Sequence, residues 1–277
     1  MERIAIIGTG NMGTAFLAGL VGSGYPKGRV TTTDVRPERL AEVRQKYRVR
    51  VGRDNVAAVR AASTVVLAVK PQVMRRTLEE IAPATVHRPL VISFAAGVPL
   101  AAIEQLLAPG TPVIRAMPNL PAEVGGGATA LAPGRRAGRT AVRRARTLLE
   151  RVGVVVEVAE DQMDAVTGLS GTGPMYVFII IEALADAGVR VGLHRETAMK
   201  LALQTVLGAA ELVRRSGRHP IYLKDLVTSP GGTAIAALHS LERTGMRAVL
   251  MDAVQAATER SAELGKIISQ RMNDATR

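Results

Sequence analysis

The amino-acid sequence predicts an α/β domain with a parallel, doubly wound sheet, followed by an all-α domain. Short β-branched segments alternate with helical patterns up to residue 158, as expected when helices cover both faces of a sheet. After Glu160 the strand signals stop, and only helical patterns rich in Ala, Leu and Met remain. A chain of 277 residues with 47% hydrophobic content is long enough for two domains, which we place at residues 1–160 and 161–277.

Strands are predicted at short apolar runs, and helices where apolar residues recur at helical spacing. The predicted strands are residues 3–7, 29–33, 64–69, 90–94, 113–116, 128–131 and 154–158. The predicted helices are residues 11–21, 37–46, 55–61, 72–81, 100–107, 135–150, 173–187, 195–216, 221–227, 233–242 and 246–272. The later helices are apolar on more than one side, so we expect a second subunit to cover part of their surface.

Composition argues against several classes of function. The formal net charge of +12 would suit a nucleic-acid-binding protein, but only 3% of the residues are aromatic, so surfaces for base stacking are scarce. The arginine-rich residues 135–151 alternate with apolar residues at helical spacing, which is typical of a solvated helix face. The chain has no Cys and its four His residues form no cluster, so we expect neither a thiolate nucleophile nor a metal site.

The apolar segments predict a soluble, cytoplasmic protein. Near the N-terminus the apolar run 4–7 ends at once in a glycine turn, which is too short for a signal peptide. The longest apolar run, near residues 177–181, is followed by Glu182 and Asp186, so we expect it to fall well short of a membrane span.

A glycine-rich turn follows the first predicted strand and reads Gly8-Thr9-Gly10-Asn11-Met12-Gly13. In such a strand, turn and helix the first glycine makes the tight turn, the second lets the backbone approach a pyrophosphate, and the third lets the helix pack on the strand. The helix N-terminus then faces the anion. The pattern predicts a Rossmann-type domain that binds a dinucleotide.

The end of the second strand carries two competing signals about that dinucleotide. Asp34 lies where an acidic side chain can accept hydrogen bonds from the adenosine ribose, which favours NAD. Arg36 lies where a guanidinium can hold a ribose phosphate, which favours NADP, although it also suits a surface position beside a helix. Asn55 is a candidate for contact with the adenine ribose or, alternatively, for a helix cap. The sequence leaves the choice between NADH and NADPH open.

Two further segments have the character of binding loops. Ala68, Val69, Lys70 and Pro71 close a strand at the sheet edge where doubly wound folds bind ligands; Lys70 either supports the cofactor or simply faces solvent. The second segment contains Ser229, Pro230, Gly231, Gly232, Thr233 and Ala234 and joins two helical patterns. There the glycines allow a positive φ and close approach by a small carboxylate. The alternative is a plain helix joint in which Ser229 or Thr233 is an N-cap.

Several motifs in the same order resemble the pyrroline-5-carboxylate reductase family along essentially the whole chain. They comprise residues 8–13, 68–72, 93–98, 115–119, 169–174, 225–238 and 251–254. The resemblance implies a Rossmann domain followed by a helical domain that interlocks with a second subunit, with a dimer as the basic unit and rings of dimers common. It also implies an NADPH or NADH cofactor, with NADPH slightly favoured.

The resemblance also assigns positions to the ligands. The nicotinamide is expected near Val69, Lys70, Pro71 and Ala96, and the substrate carboxylate at residues 229–234. Three residues depart from the family pattern. Two of the changes look tolerable: Leu120 stands in place of Thr, and Thr172 in place of Ser. Ala234 replaces a Thr whose hydroxyl contacts the substrate, so Thr233 must supply that contact or it is lost.

The chemistry of a cyclic imine suits this set of residues. A protonated imine is already electrophilic, so the protein must align it with the nicotinamide and exclude water, whereas a ketone needs a proton donor. The expected reaction is NAD(P)H-dependent reduction of 1-pyrroline-5-carboxylate to L-proline.

Two alternatives remain. A β-hydroxyacid dehydrogenase shares the glycine opening, but it needs a lysine after its own glycine motif, and residues 174–181 contain none. A non-catalytic dinucleotide-sensing protein would suit the net charge but leaves the loop at 229–234 without a role.

Overall fold

The computed structural model describes residues 2–274, apart from the side chains of residues 271, 273 and 274. In that part of the chain eight strands form one sheet in the order β3-β2-β1-β4-β5-β6-β7-β8. The strands are β1 (Ile4–Ile7), β2 (Val30–Thr33), β3 (Arg50–Gly52), β4 (Thr64–Leu67), β5 (Leu90–Ser93), β6 (Val113–Met117), β7 (Gly127–Pro133) and β8 (Gly153–Glu157). The predicted fold class is confirmed, and the seven predicted strands all exist.

Two features of the sheet correct the prediction. The sheet is not wholly parallel, because β7 runs antiparallel to β6, and β8 then pairs parallel to β7. Only a short 3-10 turn, Leu120–Val124, separates β6 from β7, and a parallel return needs a longer crossover. Strand β3 was not predicted, since three residues that begin with an arginine give no apolar run at this sheet edge.

The predicted helices are all present in the described residues. They are α1 (Asn11–Gly22), α2 (Pro37–Tyr47), α3 (Asn55–Arg60), α4 (Pro71–Ile81), α5 (Leu100–Leu106), α6 (Arg139–Leu149), α7 (Met163–Val166), α8 (Gly173–Arg190), α9 (Arg195–Ser216), α10 (Pro220–Leu226), α11 (Thr233–Arg243) and α12 (Met246–Asp274). Short α7 was not predicted. Helix α6 begins later than predicted, because the extended residue Gly138 precedes it.

Two apolar clusters cover the two faces of the sheet. On one face Leu67 and Val91 pack with Leu78 of α4 and Ile103 of α5. On the other face Phe16 of α1 packs with residues of β5 and α6, and its ring meets that of Phe94 edge-on at a centroid distance of 5.3 Å. Burial on both faces explains why the central strands are almost entirely apolar.

The chain divides into two compact units. Of the described residues, one unit contains those up to Thr172 together with those from Gln255 onward, and the other is Gly173–Val254. The first unit therefore includes most of α12 as well as the sheet. The boundary between residues 160 and 161 stays a prediction.

Within the second unit, α8 and α9 pack closely. A Cβ on Gly188 would lie 2.9 Å from the Cβ of Ala198, so glycine lets the two helices approach here. Other large apolar side chains of this unit are exposed in the single chain, among them Phe178, Leu207 and Met251. These side chains form the surface for which the sequence predicts a covering subunit.

One helical stretch extends well beyond the apolar run near residues 177–181. Residues Glu160–Arg190 form a 31-residue helical stretch that contains an 18-residue window with a mean hydropathy of 1.4, which by length and composition alone is enough to cross a membrane. Glu182 and Asp186 lie within α8 and do not end the helix. Core helices of proteins outside membranes share this length and composition.

Candidate active site

The ends of four neighbouring parallel strands place four loops side by side. The register aligns Ile7 of β1 with Thr33 of β2 and with Leu67 of β4, and Leu67 with Ser93 of β5. The residue after each strand extends the row: the Gly8 amide donates to the Thr33 carbonyl at 2.8 Å, and the Ala68 amide to the Ile7 carbonyl at 2.9 Å. This is the carboxyl edge at which doubly wound sheets bind ligands.

The glycine turn between β1 and α1 has the local geometry that its pattern predicts. Gly8 has a φ of +101°, and a Cβ there would lie 2.9 Å from the Ala68 carbonyl oxygen. A Cβ on Gly13 would lie 2.1 Å from the Gly8 carbonyl oxygen, so the helix can pack here only without a side chain. A Cβ on Gly10 would meet nothing within 4 Å. Gly10 thus leaves open space at the N-terminus of α1, while Gly8 and Gly13 serve the packing of the turn.

Asp34 braces this turn. Its carboxylate accepts hydrogen bonds from the Thr9 amide at 2.9 Å and the Thr9 hydroxyl at 2.7 Å, and from the Arg36 amide and guanidinium at 3.0 Å. Burial by itself would raise the pKa of Asp34, but the hydrogen bonds from Arg36 and Thr9 outweigh it and hold the pKa well below its usual range. Both carboxylate oxygens therefore already accept hydrogen bonds from the protein.

Two arginines lie beside the turn. The Arg36 side chain is half exposed and donates from Nε and Nη2 to Asp34 at 3.0 and 3.2 Å. Arg39 donates from Nη2 to the Thr9 carbonyl at 3.0 Å and the Thr14 hydroxyl at 3.3 Å. Sequence reasoning missed Arg39. Its position in the first turn of α2, a helix that starts at the same sheet edge, is the signal that could have found it.

Asn55 is the first residue of α3 and links the end of β2 to α4. Its Oδ1 accepts from the Thr33 hydroxyl at 2.6 Å, and its Nδ2 donates to Glu80 at 3.0 Å. The cap of α3 is Asp54, which accepts from the Ala57 amide at 2.8 Å. The helix-cap alternative for Asn55 is therefore wrong, because the capping position falls one residue earlier.

The segment from Ala68 to Pro71 differs from its predicted form. Strand β4 ends at Leu67, and Lys70 is an exposed, extended residue that precedes α4. Pro71 causes this, since it favours the first position of a helix and holds the residue before it extended. Ala68 and Val69 are half-buried, as is Ala96 in the loop after β5.

The loop from Ser229 to Ala234 joins α10 to α11 in the second unit. Gly231 has a φ of +70°, whereas Gly232 has a φ of −79°, so only Gly231 uses the positive φ expected of both. A Cβ on Gly232 would lie 2.2 Å from the Ser229 hydroxyl, which can rotate away, and 3.2 Å from the Ser229 carbonyl oxygen.

The structure of this loop excludes a plain N-cap role for Ser229 or Thr233. The residue at the N-cap of α11 is Gly232, and no side chain caps the helix. Ser229 and Thr233 are exposed and Ala234 is half-buried in the first turn. The hydroxyls and the helix N-terminus therefore face solvent in the single chain.

Side chains of metal-binding types form no cluster in the described residues. No group of three or more His, Asp or Glu side chains lies close enough there to hold an ion. His87 bonds the Ala62 carbonyl at 2.9 Å, and His219 accepts from the Ile221 amide and caps α10.

Comparison with known proteins identifies the family. The chain is 45% identical over 267 residues to the pyrroline-5-carboxylate reductase of Methanosarcina acetivorans, an alignment that covers 96% of this chain and 98% of that protein. The chain belongs to the pyrroline-5-carboxylate reductase family. A model described as pyrroline-5-carboxylate reductase dimerisation matches residues 160–264, and one described as NADP oxidoreductase, coenzyme F420-dependent, matches residues 3–97.

Solved pyrroline-5-carboxylate reductases have the same fold. The structure from Coxiella burnetii has a TM-score of 0.88 at 37% identity and covers 95% of this chain and 98% of its own. The structure of the Plasmodium falciparum enzyme with NADP bound has a TM-score of 0.86 at 30% identity and the same coverage.

The family motifs around Asn119 and Arg115 prove to hold the end of the sheet together. Asn119 is buried, accepts from the Ala128 amide at 2.9 Å and donates to the Ser170 carbonyl at 3.0 Å. Arg115 is buried beside Glu160 at 3.5 Å, a partner that no sequence pattern indicated. At the departure Thr172, the hydroxyl donates to the Thr167 carbonyl at 3.0 Å, a bond that the family's Ser can also make.

Proposed function

We infer that this chain catalyses the NAD(P)H-dependent reduction of 1-pyrroline-5-carboxylate to L-proline, the last step of proline biosynthesis. The observation that carries the inference is its near-full-length similarity to reductases of this name, in both the dinucleotide-binding and the dimerisation parts. The row of loops at the carboxyl edge supports it, since it offers a glycine turn with open space at Gly10.

The residues of the chain bind and orient, and none of them has to move a proton. A bound NAD(P)H supplies a hydride, whose electron pair forms the new C–H bond as the C=N π pair passes to nitrogen. The imine nitrogen already carries its proton, so the product is the neutral amine. The protein contributes alignment of the reacting carbon and exclusion of water.

We propose that residues 8–13 hold the pyrophosphate, that Asn55 borders the adenine ribose, and that Val69, Lys70, Pro71 and Ala96 border the nicotinamide. Asn55 is suited to its role because it is fixed by Thr33 and Glu80. Backbone amides at the start of α1 suit an anion, and a Cβ-free Gly10 admits it closely.

For the cofactor we propose NADPH over NADH. The carboxylate of Asp34 is occupied by Thr9 and Arg36, which leaves it a weak acceptor for a ribose hydroxyl. Arg36 is half exposed and, with Arg39 beside it, adds positive charge where a ribose phosphate would lie. A relative with NADP bound is consistent with this choice.

We propose that the loop from Ser229 to Ala234 binds the carboxylate of the substrate. Its support is the positive φ of Gly231, the uncapped N-terminus of α11 and the exposed hydroxyls of Ser229 and Thr233. Thr233 then provides the hydroxyl that Ala234 lacks.

We further propose a homo-oligomer whose basic unit is a dimer, with a ring of dimers as a larger assembly, in the cytoplasm. The match to a dimerisation model over residues 160–264 and the exposed apolar side chains of α8 to α12 support association of copies. A second copy would also cover the apolar stretch Glu160–Arg190 without a membrane. We propose no nucleic-acid partner.

The test is a steady-state assay of nicotinamide oxidation with pyrroline-5-carboxylate, run separately with NADPH and NADH. We expect turnover of the imine with both and a higher kcat/KM with NADPH. A parallel assay with hydroxyacids and NADP⁺ serves as the control. Faster turnover of a hydroxyacid would overturn the proposed function, and a preference for NADH would overturn only the cofactor assignment.

A further inference from the structure

One face of α12 packs on the unit that contains the sheet. The residues on this face are spaced as neighbours on one side of a helix: Ser261, Gly265, Ile268 and Met272. Ser261, Ile268 and Met272 are buried, and the last two belong to the same apolar cluster as Val98 and Met74.

Polar contacts fix this packing at both ends. The Ser261 hydroxyl donates to Asp164 in α7 at 2.7 Å. Near the end of α12 the Arg75 guanidinium of α4 donates to the Met272 carbonyl oxygen. These two bonds restrain both the position of α12 along its axis and its rotation.

The tightest approach of α12 is to Gly97. Gly97 has a φ of +71°, and a Cβ there would lie 2.8 Å from the Cα and 3.1 Å from the nitrogen of Gly265. The obstacle is helix backbone, so no side-chain rotation can relieve it. From the other side, a Cβ on Gly265 would lie at an ordinary 3.5 Å from the Gly97 Cα.

Gly97 belongs to the short loop between β5 and α5, in the row of loops at the carboxyl edge. Its neighbour Ala96 is a proposed nicotinamide contact, so the height of this loop above the sheet decides where the ring can lie. The start of the loop is fixed by the Phe94 amide, which donates to the Leu67 carbonyl at 2.9 Å. The later part has α12 directly against it.

We propose that α12 is a positioning element for the nicotinamide site, and that the contact between Gly265 and Gly97 sets the position of the loop that holds Ala96. This rests on the proposed function, since the assignment of Ala96 is part of it. Gly265 is a positioning residue that acts through the loop and need not touch cofactor or substrate.

The test perturbs the contact from both sides. Gly97→Ala places a Cβ against the α12 backbone, and Gly265→Phe extends a ring from a Cβ that already contacts Gly97. We expect each to lower kcat for the imine by about tenfold to a hundredfold, the cost of misplacing reacting groups by about 1 Å. The affinity for ADP-ribose, which reaches only the glycine turn and its neighbours, should stay within about twofold by calorimetry.

Two matched controls separate the contact from other effects. Gly125→Ala introduces the same backbone strain at a φ of +75°, but a Cβ there meets nothing within 4 Å. Gly265→Ala adds only an ordinary contact. Both should keep kcat within about twofold of the parent.

The outcomes are distinct. An unchanged kcat in Gly97→Ala and Gly265→Phe, or a loss no larger than in Gly125→Ala, would overturn the proposal, as would a parallel loss of ADP-ribose binding. If the parent does not reduce the imine, the proposed function has failed. Amide hydrogen exchange of residues 94–98 then tests the contact independently of activity. If these amides exchange no faster in Gly265→Phe than in Gly265→Ala, the proposed contact is overturned.

Discussion

Replacement of Gly10 by Ala should separate nucleotide binding from folding. Gly10 has a φ of −68° and a ψ of −173°, which Ala adopts readily, and the added Cβ has no atom within 4 Å. Ala at this N-cap position loses a few tenths of a kcal/mol or more of capping preference, while Gly→Ala at a compatible site gains about 0.4–1 kcal/mol. The two effects nearly cancel, so the free energy of unfolding should change by less than about 1 kcal/mol.

Binding should respond differently. The methyl group occupies the open space in which a pyrophosphate would approach the start of α1. We expect the Kd for NADPH to rise at least about tenfold, which corresponds to about 1.4 kcal/mol. Titration calorimetry gives the Kd, and urea unfolding of the unliganded chain gives the stability.

The matched comparison is Gly13→Ala. Its Cβ would lie 2.1 Å from the Gly8 carbonyl oxygen, so α1 must move away from the turn. Overpacking of this kind costs about 1–3 kcal/mol, and we expect that loss in the unliganded protein. Unchanged NADPH affinity in Gly10→Ala, or equal stability losses in the two variants, would refute the reasoning.

Three further predictions concern Asp34 and the loop at residues 229–234. Asp34→Asn should lower the free energy of unfolding at pH 7 by about 1.5–3 kcal/mol, as for hydrogen bonds to a charged group. The folded pKa of Asp34 lies well below its ordinary value of 3.8. The contribution of Asp34 to stability is therefore complete above that ordinary pKa and fades as the pH falls from there toward the folded pKa. Urea unfolding at pH 7 and pH 3 should therefore give a smaller difference at pH 3; an equal difference contradicts this. Gly232→Val should raise KM for the imine with little change in the Kd for NADPH, and collapse of cofactor binding would show that the loop has another role. In kinetic assays Thr233→Ala should raise KM for the imine, whereas Ala234→Thr should leave it unchanged or lower it. An unchanged KM in Thr233→Ala together with a raised KM in Ala234→Thr would show that Thr233 is not part of the site.

The sequence predicted those parts of the fold that depend on local patterns. The loop between α10 and α11 was predicted within one residue, because Pro230 and the two glycines interrupt strong helical periodicity. The glycine turn was predicted from the spacing of its glycines between a strand and a helix. Gly8 and Gly13 have local steric roles that appear in the spacing.

What the sequence could not predict depends on contacts between distant residues. Strand β7 is antiparallel because its connection to β6 is too short for a crossover. The length of this connection is known only once the exact ends of both strands are known. Arg39 bonds Thr9, which lies 30 positions earlier, and Glu160 pairs with Arg115, which lies 45 positions earlier. No spacing rule links such pairs. The packing of α12 against Gly97 is of the same kind.

The most direct test of the central claim is the turnover of pyrroline-5-carboxylate by the purified protein with NADPH, with the product identified by NMR. We expect one proline formed for each NADPH oxidised, and a several-fold lower rate in Gly10→Ala at NADPH concentrations near the parent's KM. Absence of proline, or faster oxidation of a hydroxyacid with NADP⁺, would contradict the assignment.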